Sequence, residues 1–387
     1  VKRPEPSYFT ISTQSGMCNM DGVKSMDLSK IVVHIAKNII DNIIFKKNEN
    51  YLIRGIVIDS LILRFDESYL KKYKNPYVKY MGEIIDYNNM EECLKMYNSI
   101  QILENNSLKK HGRQKKKKDN EFFYNSCSII VKAAPEIKCV NIKLFNNGKI
   151  TLTGAKEESD GYYASTVLLE ELKKNKSIFL KPNENENETD KITLVEMDEN
   201  EIKNIKVVNY RIIMINSDFN TNFKIDLIKL LNILNANEGE LFTKFNPEKY
   251  RGLIIGFYWN TDKRVQDGIC NCSTKCTGKG NGTGDGNCKK ITISIFKSGS
   301  VIITGGRLLK QVEDTYRAIN DIFEKYYHDI IKLSILDYID ENDESETVDE
   351  PLEEIEPLEN KIVCEEVVAP VKTTATKKKI KIIKDKK

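Results

Sequence analysis

One short pattern occurs twice in the chain, and this internal repeat constrains the fold more than any other feature. The copies are LFNNGKITLTGAK at Leu144–Lys156 and IFKSGSVIITGGR at Ile295–Arg307. The Phe, the turn Gly and the Thr-Gly pair are identical, and most other positions exchange residues of similar size and polarity. Such self-similarity is typical of a fold assembled from copies of one supersecondary unit.

Each copy predicts a tight β-hairpin followed by a helix. Asn147-Gly148 and Ser298-Gly299 are turn dipeptides between apolar, alternating runs. In the strand after each turn, every second residue is apolar and suited to a core. Most of the residues between them are Thr. Apolar periodicity then predicts helical stretches at 158–175 and 309–339.

The same order of elements precedes both copies. We predict first strands at 8–13 and 207–215, each followed by a helix, at 27–40 and 225–236. Further strands are predicted at 127–132, 139–145, 251–259 and 289–296. The order strand, helix, four strands, helix therefore occurs twice.

These elements divide the chain into two repeats, at 1–180 and 205–339, joined by a loop-like linker at 181–204. An insertion at 59–120 interrupts the first repeat, and a Cys- and Gly-rich insertion at 262–289 interrupts the second. The tail at 340–387 is acidic and then basic, with no periodic apolar face, so we expect it to be disordered.

Composition excludes several classes of protein. The chain is 40% hydrophobic, which predicts a folded core, and its net charge of +3 does not by itself indicate a nucleic-acid-binding protein. It has no apolar run of roughly 18 residues that would span a bilayer and no signal-peptide pattern, so we expect a soluble, intracellular protein. Its nine cysteines are then expected to be thiols or metal ligands. The missing initiator Met indicates that Val1 is not the natural start.

Two β-α-β-β-β-β-α repeats, each with Phe-x-x-Gly-x-x-x-x-Thr-Gly-Ala/Gly-Lys/Arg, resemble the TATA-box-binding protein (TBP) family and its diverged relatives in large DNA viruses. The segment Phe245–Ile255 adds to the match, since it looks like the family's strand ahead of the second hairpin. The resemblance implies an α+β, TBP-like saddle: two pseudo-symmetric repeats form one curved antiparallel sheet with helices on the convex side. It also implies that the concave side lies on the minor groove of DNA, where apolar wedges kink the duplex.

The resemblance implies a role as wedges for aromatic residues at both ends of the sheet. Phe145 and Phe296 stand where the family has the aromatic that ends a strand of each repeat, and Phe123 and Tyr250 stand as their partners. Phe122 is an alternative to Phe123. An aromatic ring that merely caps the end of the sheet is the plainer interpretation of each position.

The other DNA contacts implied by the resemblance lie on the concave face and beside the hairpins. The groove contacts are Thr10, Ser12, Thr151, Thr153, Asn209, Arg211, Ile213, Ile302 and Thr304, and the phosphate contacts are Lys149, Lys156 and Arg307. An ordinary solvated strand face explains the threonines equally well. In the first repeat Tyr8 replaces the family's groove-reading Asn, and this departure puts sequence-specific TATA recognition in doubt. The basic run 115–118 would add phosphate attraction, although an import signal or a solubilising loop explains it too.

Four cysteines in the second insertion have the spacing C-x-C-x3-C-x11-C. They are Cys270, Cys272, Cys276 and Cys288. Four thiolates suit tetrahedral Zn²⁺, and the surrounding glycines permit the tight turns that would bring them together. The spacing differs from the common paired C-x2-C, so a structural zinc and free thiols both remain open, and no other cofactor is required.

We therefore predict a TBP-like transcription initiation factor that binds and bends promoter DNA and contacts a TFIIB-like factor and RNA polymerase. One alternative is a diverged protein-interaction scaffold, and another is a non-specific DNA-packaging or virion protein. The three His residues are isolated and no catalytic motif occurs, so we expect no enzyme, no small-molecule substrate and no membrane partner. The expected location is the nucleus or a cytoplasmic viral factory, with packaging in the virion as a further alternative.

Overall fold

One antiparallel sheet of 13 strands forms the centre of the molecule. The computed structural model describes residues 2–66, 77–107, 125–132, 138–183, 193–237, 241–273, 276–280 and 286–332. They belong to a single compact unit, Val1–Leu333. The predicted wedge Phe123, its alternative Phe122, the basic run 115–118 and the tail lie outside the described residues.

The strands and helices have the following bounds. The strands are β1 (Thr10–Asp21), β2 (Ser25–Met26), β3 (Ile53–Ile58), β4 (Leu61–Arg64), β5 (Tyr77–Tyr80), β6 (Glu83–Ile84), β7 (Ser126–Val131), β8 (Val140–Phe145), β9 (Lys149–Ala155), β10 (Phe179–Pro182), β11 (Leu194–Glu196), β12 (Lys206–Asn220), β13 (Phe242–Asn246), β14 (Tyr250–Trp259), β15 (Lys289–Ile295) and β16 (Ser300–Gly306). The helices are α1 (Leu28–Ile39), α2 (Met90–Ser107), α3 (Glu158–Lys173), α4 (Glu199–Asn204), α5 (Leu227–Asn237), α6 (Leu309–Lys325) and α7 (Tyr327–Ile330).

The order of strands across the sheet shows two repeats that meet at β1 and β12. The order is β13-β14-β15-β16-β12-β1-β9-β8-β7-β3-β4-β5-β6. Outward from the centre, β9, β8, β7 and β3 in one half match β16, β15, β14 and β13 in the other. The predicted α+β fold, with one antiparallel sheet built from two repeats, is confirmed.

The register between β1 and β12 has an internal twofold symmetry. Gln14 lies opposite Ile215, and the pairs on either side are related by exchange of the repeats. Thus Ile11 lies opposite Ser217, and their counterparts Ile212 and Gly16 lie opposite each other. The pseudo-twofold axis therefore passes beside Gln14 and Ile215.

Glycine at equivalent positions shapes both repeated hairpins. The turn residues Gly148 and Gly299 have φ of 76° and 88°. Their amides donate to the carbonyl oxygens of Phe145 (3.0 Å) and Phe296 (2.9 Å), which closes each predicted turn. The second strand of each hairpin then pairs with the first strand of its repeat, β9 with β1 and β16 with β12.

Two hydrophobic cores lie on the same face of the sheet. Alternation along the strands buries residues such as Ile142 and Leu152 in the first repeat and Ile303 in the second. Leu152 lies opposite Gly16, and Gly16 opposite Ile212, so the core parity continues across the centre without a change of face. Helices α1, α2 and α3 cover the first core, and α5, α6 and α7 cover the second.

Local signals account for the starts of the helices that cover the cores. The Asp27 side chain accepts from the amides of Ser29 (2.9 Å) and Lys30 (3.1 Å) and so caps α1. Before α3, Glu157 and Asp160 form a reciprocal capping box. Both caps satisfy amides that have no partner within the helix.

The insertion in the first repeat enlarges both the sheet and the core. It follows β3, which pairs with β7 on one side and with β4 on the other, so β3 belongs to the repeat itself. Strands β4, β5 and β6 extend the sheet, and α2 buries Cys93, Met96 and Ile100 in the first core. The insertion thus covers an edge that the equivalent strand of the second repeat, β13, leaves open.

Three predicted elements differ in extent from those observed. One is the first strand of the second repeat, predicted at 207–215, which extends over Lys206–Asn220. The helical stretch predicted at 309–339 ends at Lys325, because Tyr326 leaves helical geometry, and the chain then forms the short α7. The first strand, predicted at 8–13, begins at Thr10 and continues to Asp21, because it pairs with both β9 and β12. Among the described helices, none combines the length and the apolar character that crossing a bilayer requires.

Candidate nucleic-acid interface

The sheet face opposite the helices carries most of the predicted DNA contacts, and we call it the open face. In β9, Ile150 and Leu152 are buried in the core, while Thr151 is half-buried and Thr153 exposed on the open face. In β16, Val301 and Ile303 are buried, and Ile302 and Thr304 are half-buried on the open face. This alternation places the groove contacts predicted on both hairpins on one continuous surface.

An aromatic pair stands at the outer end of the second hairpin. The ring centroids of Tyr250 and Phe296 are 5.8 Å apart with the ring planes inclined by 63°. A Cβ on Gly252 would lie 2.8 Å from the Tyr250 ring and 3.1 Å from the Phe296 ring. The missing side chain at Gly252 therefore makes room for the pair, of which Tyr250 is 41% exposed and Phe296 half-buried.

Phe145 occupies the equivalent end of the first hairpin. It is half-buried, its register partner is Ser126, and the ammonium of Lys143 lies 5.6 Å from its ring centroid. Its predicted partner Phe123 lies outside the described residues, so the structure describes only one ring of this pair.

The centre of the open face is polar. The hydroxyl of Ser12 donates to the carboxylate of Asp218, and Thr10 is the register partner of Asp218. The amide of Asn216 donates to the Thr13 hydroxyl (3.0 Å). The carboxylate of Asp218 repels the phosphates of DNA. Hydroxyl and amide groups, in contrast, can donate hydrogen bonds to the acceptors of the minor groove.

Register irregularities interrupt the predicted alternation of Asn209, Arg211 and Ile213. Asn209 has a φ of 56°, and the pairing with β1 shifts beside it and again beside Ile213. Asn209 and Arg211 are exposed and, together with Lys149, line a cavity of about 420 Å³ on the open face. Ile213 is half-buried at the second irregularity and has no register partner in β1.

Tyr8, at the position of the family's Asn, lies before β1 begins. Its ring contacts Phe9 (4.6 Å between centroids) and Tyr316 of α6 (5.5 Å), so it packs toward the helices. The first repeat therefore has no Asn side chain at this position, and Tyr8, which replaces it, does not lie on the open face.

Cationic side chains gather where the second repeat meets the first. Arg211, Lys289 and Arg307 line a cavity of about 560 Å³ together with Glu158. Burial, and then the charge of Arg307, lower the pKa of Lys289. Lys156, the counterpart of Arg307, is exposed at the end of β9. Lys289, which sequence reasoning did not identify, thus adds positive charge beside the predicted phosphate contact Arg307 and the predicted groove contact Arg211.

Sequence reasoning also missed several residues of the open face. They are Lys143, Asp218, Lys290, Thr292 and Ser294, which alternate with buried residues along β8, β12 and β15. Period-two alternation was the available signal, and it identifies all except Asp218, whose parity depends on the irregularities in β12.

The four clustered cysteines converge at the far end of the second hairpin. The Sγ atoms of Cys270, Cys272, Cys276 and Cys288 all lie within 4.8 Å of one another, so the group could hold a metal ion. Strand β14 separates this cluster from Tyr250 by ten residues, or roughly 30 Å along an extended strand. The cluster is therefore remote from the aromatic pair.

Comparison with known proteins agrees with this geometry. Residues 205–326 match the family described as "Transcription factor TFIID (or TATA-binding protein, TBP)". The chain is 33% identical over 228 residues to a "TATA-box-binding protein-like" protein of Acanthamoeba polyphaga mimivirus, an alignment that covers 56% of this chain and 52% of the relative. The chain thus spans about half the length of that relative.

Among solved structures, the TBP of Methanococcus jannaschii aligns with a TM-score of 0.36 and 14% identity, covering 84% of this chain and 99% of that one. The matched segment 205–326 contains the second hairpin and its aromatic pair, and the resemblance to the TBP family is confirmed. Residues 205–326 therefore resemble the TBP family, and the chain is similar over 228 residues to a TBP-like protein of a large DNA virus.

Proposed function

We propose that the protein binds promoter DNA through its open face, inserts aromatic side chains into the minor groove and bends the duplex during transcription initiation. The family is a DNA-binding one without enzymatic activity, and no catalytic role is proposed here. The observation that carries the proposal is the pairing of Tyr250 with Phe296 over Gly252 at the outer end of a polar strand face.

The energetics of the open face fit this role. An apolar wedge that unstacks a base step costs a few kcal/mol, which is offset when the bent duplex contacts more protein surface. Small side chains such as Thr151, Thr153 and Thr304 leave the face between the ends free of bulky groups. Lys149 and Arg307, beside the two hairpins, are placed to attract phosphates.

A bend-sensitive fluorescence assay tests the proposal, with the full chain on AT-rich and GC-rich duplexes labelled at both ends. We expect Phe296→Ala and Phe145→Ala each to lose most of the bend and roughly tenfold or more in affinity, since each removes a wedge. Tyr163→Ala is the matched control, because Tyr163 is 59% exposed on α3, on the opposite side of the sheet.

The outcomes separate the proposal from its two rivals. Binding that is unbent and equally strong in the wedge variants contradicts insertion. Bending of AT-rich and GC-rich duplexes with equal affinity favours a non-specific packaging protein. Absence of binding at low salt favours a protein-interaction scaffold, a role consistent with Asp218 at the centre of the open face and with the displaced Tyr8.

The partners and cellular site follow from the same proposal. The helix side and the ends of the sheet would contact a TFIIB-like factor and RNA polymerase. The protein would act where viral DNA is transcribed, in the nucleus or a cytoplasmic factory, and packaging in the virion would deliver it there. Its only cofactor would be a structural metal ion, Zn²⁺, in the four-cysteine cluster.

A further inference from the structure

We infer that Cys270, Cys272, Cys276 and Cys288 bind one structural zinc ion whose task is to clamp the end of the β14–β15 hairpin. The loop between these strands runs from Asn260 to Cys288, and three of its four cysteines are half-buried. The clamp lies at the end of the hairpin away from the aromatic pair, and it can be tested without DNA.

The sulfur atoms already have the spacing of a tetrahedral site. Zinc bonds to thiolates of about 2.3 Å in a tetrahedron place the sulfur atoms about 3.8 Å apart. The Sγ of Cys288 lies 3.5 Å from that of Cys272 and 3.8 Å from that of Cys270, and all four Sγ atoms are within 4.8 Å of one another. Each sulfur has three near neighbours, which suits one shared ion better than two disulfide pairs.

Hydrogen-bond donors surround the sulfurs. The side-chain amide of Asn260 donates to Cys288 Sγ (3.6 Å). The backbone amide of Asn287 donates to Cys272, and those of Gly278 and Cys288 donate to Cys276. Four thiolates around Zn²⁺ carry a net negative charge, so such donors stabilise the bound state and orient the ligands.

One glycine shows how closely the loop is wrapped around the cluster. Gly286 has a φ of 70°, and a Cβ there would lie 2.5 Å from Cys272 Sγ and 3.0 Å from Cys276 Sγ. Any larger residue would displace two ligands at once. A variant at this position therefore disturbs the site while keeping all four thiols.

The loop forms backbone hydrogen bonds with both strands of the β14–β15 hairpin, each on the side facing away from the other strand. On the β14 side the amide of Tyr258 donates to the carbonyl of Gly268 (2.8 Å). On the β15 side the amide of Lys290 donates to the carbonyl of Gly278 (2.8 Å). Cys270 and Cys272 follow the first contact and Cys276 precedes the second, so an ion bound to all three would join the two arms across the end of the hairpin.

The ion would also hold the described parts of the loop, 260–273, 276–280 and 286–288, together. Among the described loop residues, Gly268 packs against the side chains of Phe257 and Leu241, and Ile269 is the one hydrophobic side chain that packs against the second core. Bonds to a metal can replace the missing core, as they do in small zinc modules. A sulfur-only tetrahedral site selects zinc or iron among common metals, and the test below separates these two.

Metal analysis of the purified full chain tests occupancy. We expect one zinc per chain after dialysis against a weak chelator, and less than about a tenth of that in Cys272→Ser, Cys276→Ser and Gly286→Ala. Cys139→Ser is the control, because Cys139 is a half-buried cysteine outside the cluster. Absence of metal, iron in place of zinc, zinc retained in the cluster variants, or disulfides among the four cysteines under reducing conditions would each overturn the inference.

Hydrogen exchange tests the clamp separately. Removing zinc with a strong chelator should speed exchange of the Tyr258 and Lys290 amides by at least about tenfold, because their acceptors belong to the two arms of the loop. The amide of Leu144, in the equivalent strand of the first repeat, should not change. Unchanged exchange at Tyr258 and Lys290 in zinc-free protein would contradict the clamp, whatever the protein does with DNA.

Discussion

At the scale of single residues, the second glycine of each repeated pattern has a defined structural task. Gly154 and Gly305 both have a φ of 97°. The register between the hairpin and the first strand of its repeat shifts at both places, so each glycine forms a bulge. A Cβ would meet the carbonyl oxygen of Cys139 at 3.2 Å or that of Lys290 at 3.3 Å. The glycine that both copies have after Thr153 and Thr304 thus reflects the backbone conformation that the bulge requires.

Replacing either bulge glycine by alanine should destabilise the fold. We expect Gly154→Ala and Gly305→Ala each to lower the free energy of unfolding by about 1–2 kcal/mol, measured by urea denaturation, because a side chain disfavours positive φ. The control is Gly306→Ala: Gly306 has no positive φ, the first copy has Ala155 at this position, and the nearest atom to the new Cβ is a side-chain methyl of Val312 (3.1 Å), not a backbone atom. An equal loss in Gly305→Ala and Gly306→Ala would refute the bulge argument.

At the scale of elements, a buried polar cluster joins helices α1 and α3 of the first repeat. The Glu171 carboxylate of α3 accepts from Asn38 of α1 (2.9 Å) and from Lys174 (2.7 Å), and lies 3.4 Å from His34 Nε2. Burial alone would raise the pKa of Glu171, but the donors His34 and Lys174 outweigh it and lower this pKa to about 2. The ionised carboxylate therefore holds α1 against α3.

This cluster predicts a loss of stability in acid. A carboxyl group with a lowered folded-state pKa stabilises the fold above its unfolded value of 4.5, and that contribution disappears as the pH falls from 4.5 toward 2. Between pH 5.5 and 3 we expect the wild type to lose on the order of 1–2 kcal/mol more unfolding free energy than Glu171→Gln does. Glu170→Gln, at the exposed neighbouring position, should follow the wild type in the same urea titrations. Identical pH profiles for wild type and Glu171→Gln would rule out this role.

At the scale of the whole molecule, the two repeats share a topology but differ in charge and in additions. The register symmetry relates Met17 of the first repeat to Asp218 of the second, so the carboxylate on one side of the centre has no acidic counterpart on the other. Within the described part of the chain, the first repeat alone has the extra strands β4–β6, and the second alone has the cysteine loop. If the open face binds DNA, the two halves bind it unequally, which would favour one orientation on a promoter.

The asymmetry gives a testable change in affinity. Asp218→Asn should strengthen binding to duplex DNA several-fold at low salt, because it removes a carboxylate that repels the phosphates, and the gain should shrink as salt increases. Asp321→Asn, which removes an exposed carboxylate from α6 on the helix side, is the control for net charge. Fluorescence anisotropy titrations would measure both, and an equal gain in the two variants would contradict a binding surface at the centre of the open face.

The sequence by itself was sufficient wherever the relevant physics is local. Turn chemistry at Gly148 and Gly299, period-two alternation in β9 and β16, and helical periodicity in α1 and α5 depend on neighbours within a few residues, so both hairpins and the repeat order could be predicted. The same signals, joined to a family resemblance, placed Phe145, Phe296 and the threonines on one face.

Only the tertiary structure decided the features that depend on pairing between distant segments. The bulges beside Asn209 and Ile213, the displacement of Tyr8 toward Tyr316 and the position of Asp218 follow from how β1 pairs with β12. The extension of the sheet by β4, and the convergence of four cysteines separated by a long glycine-rich loop, likewise depend on contacts that no local pattern encodes. Register is chosen by the free energy of the whole sheet, since a shift of one residue moves every side chain of a strand to the opposite face.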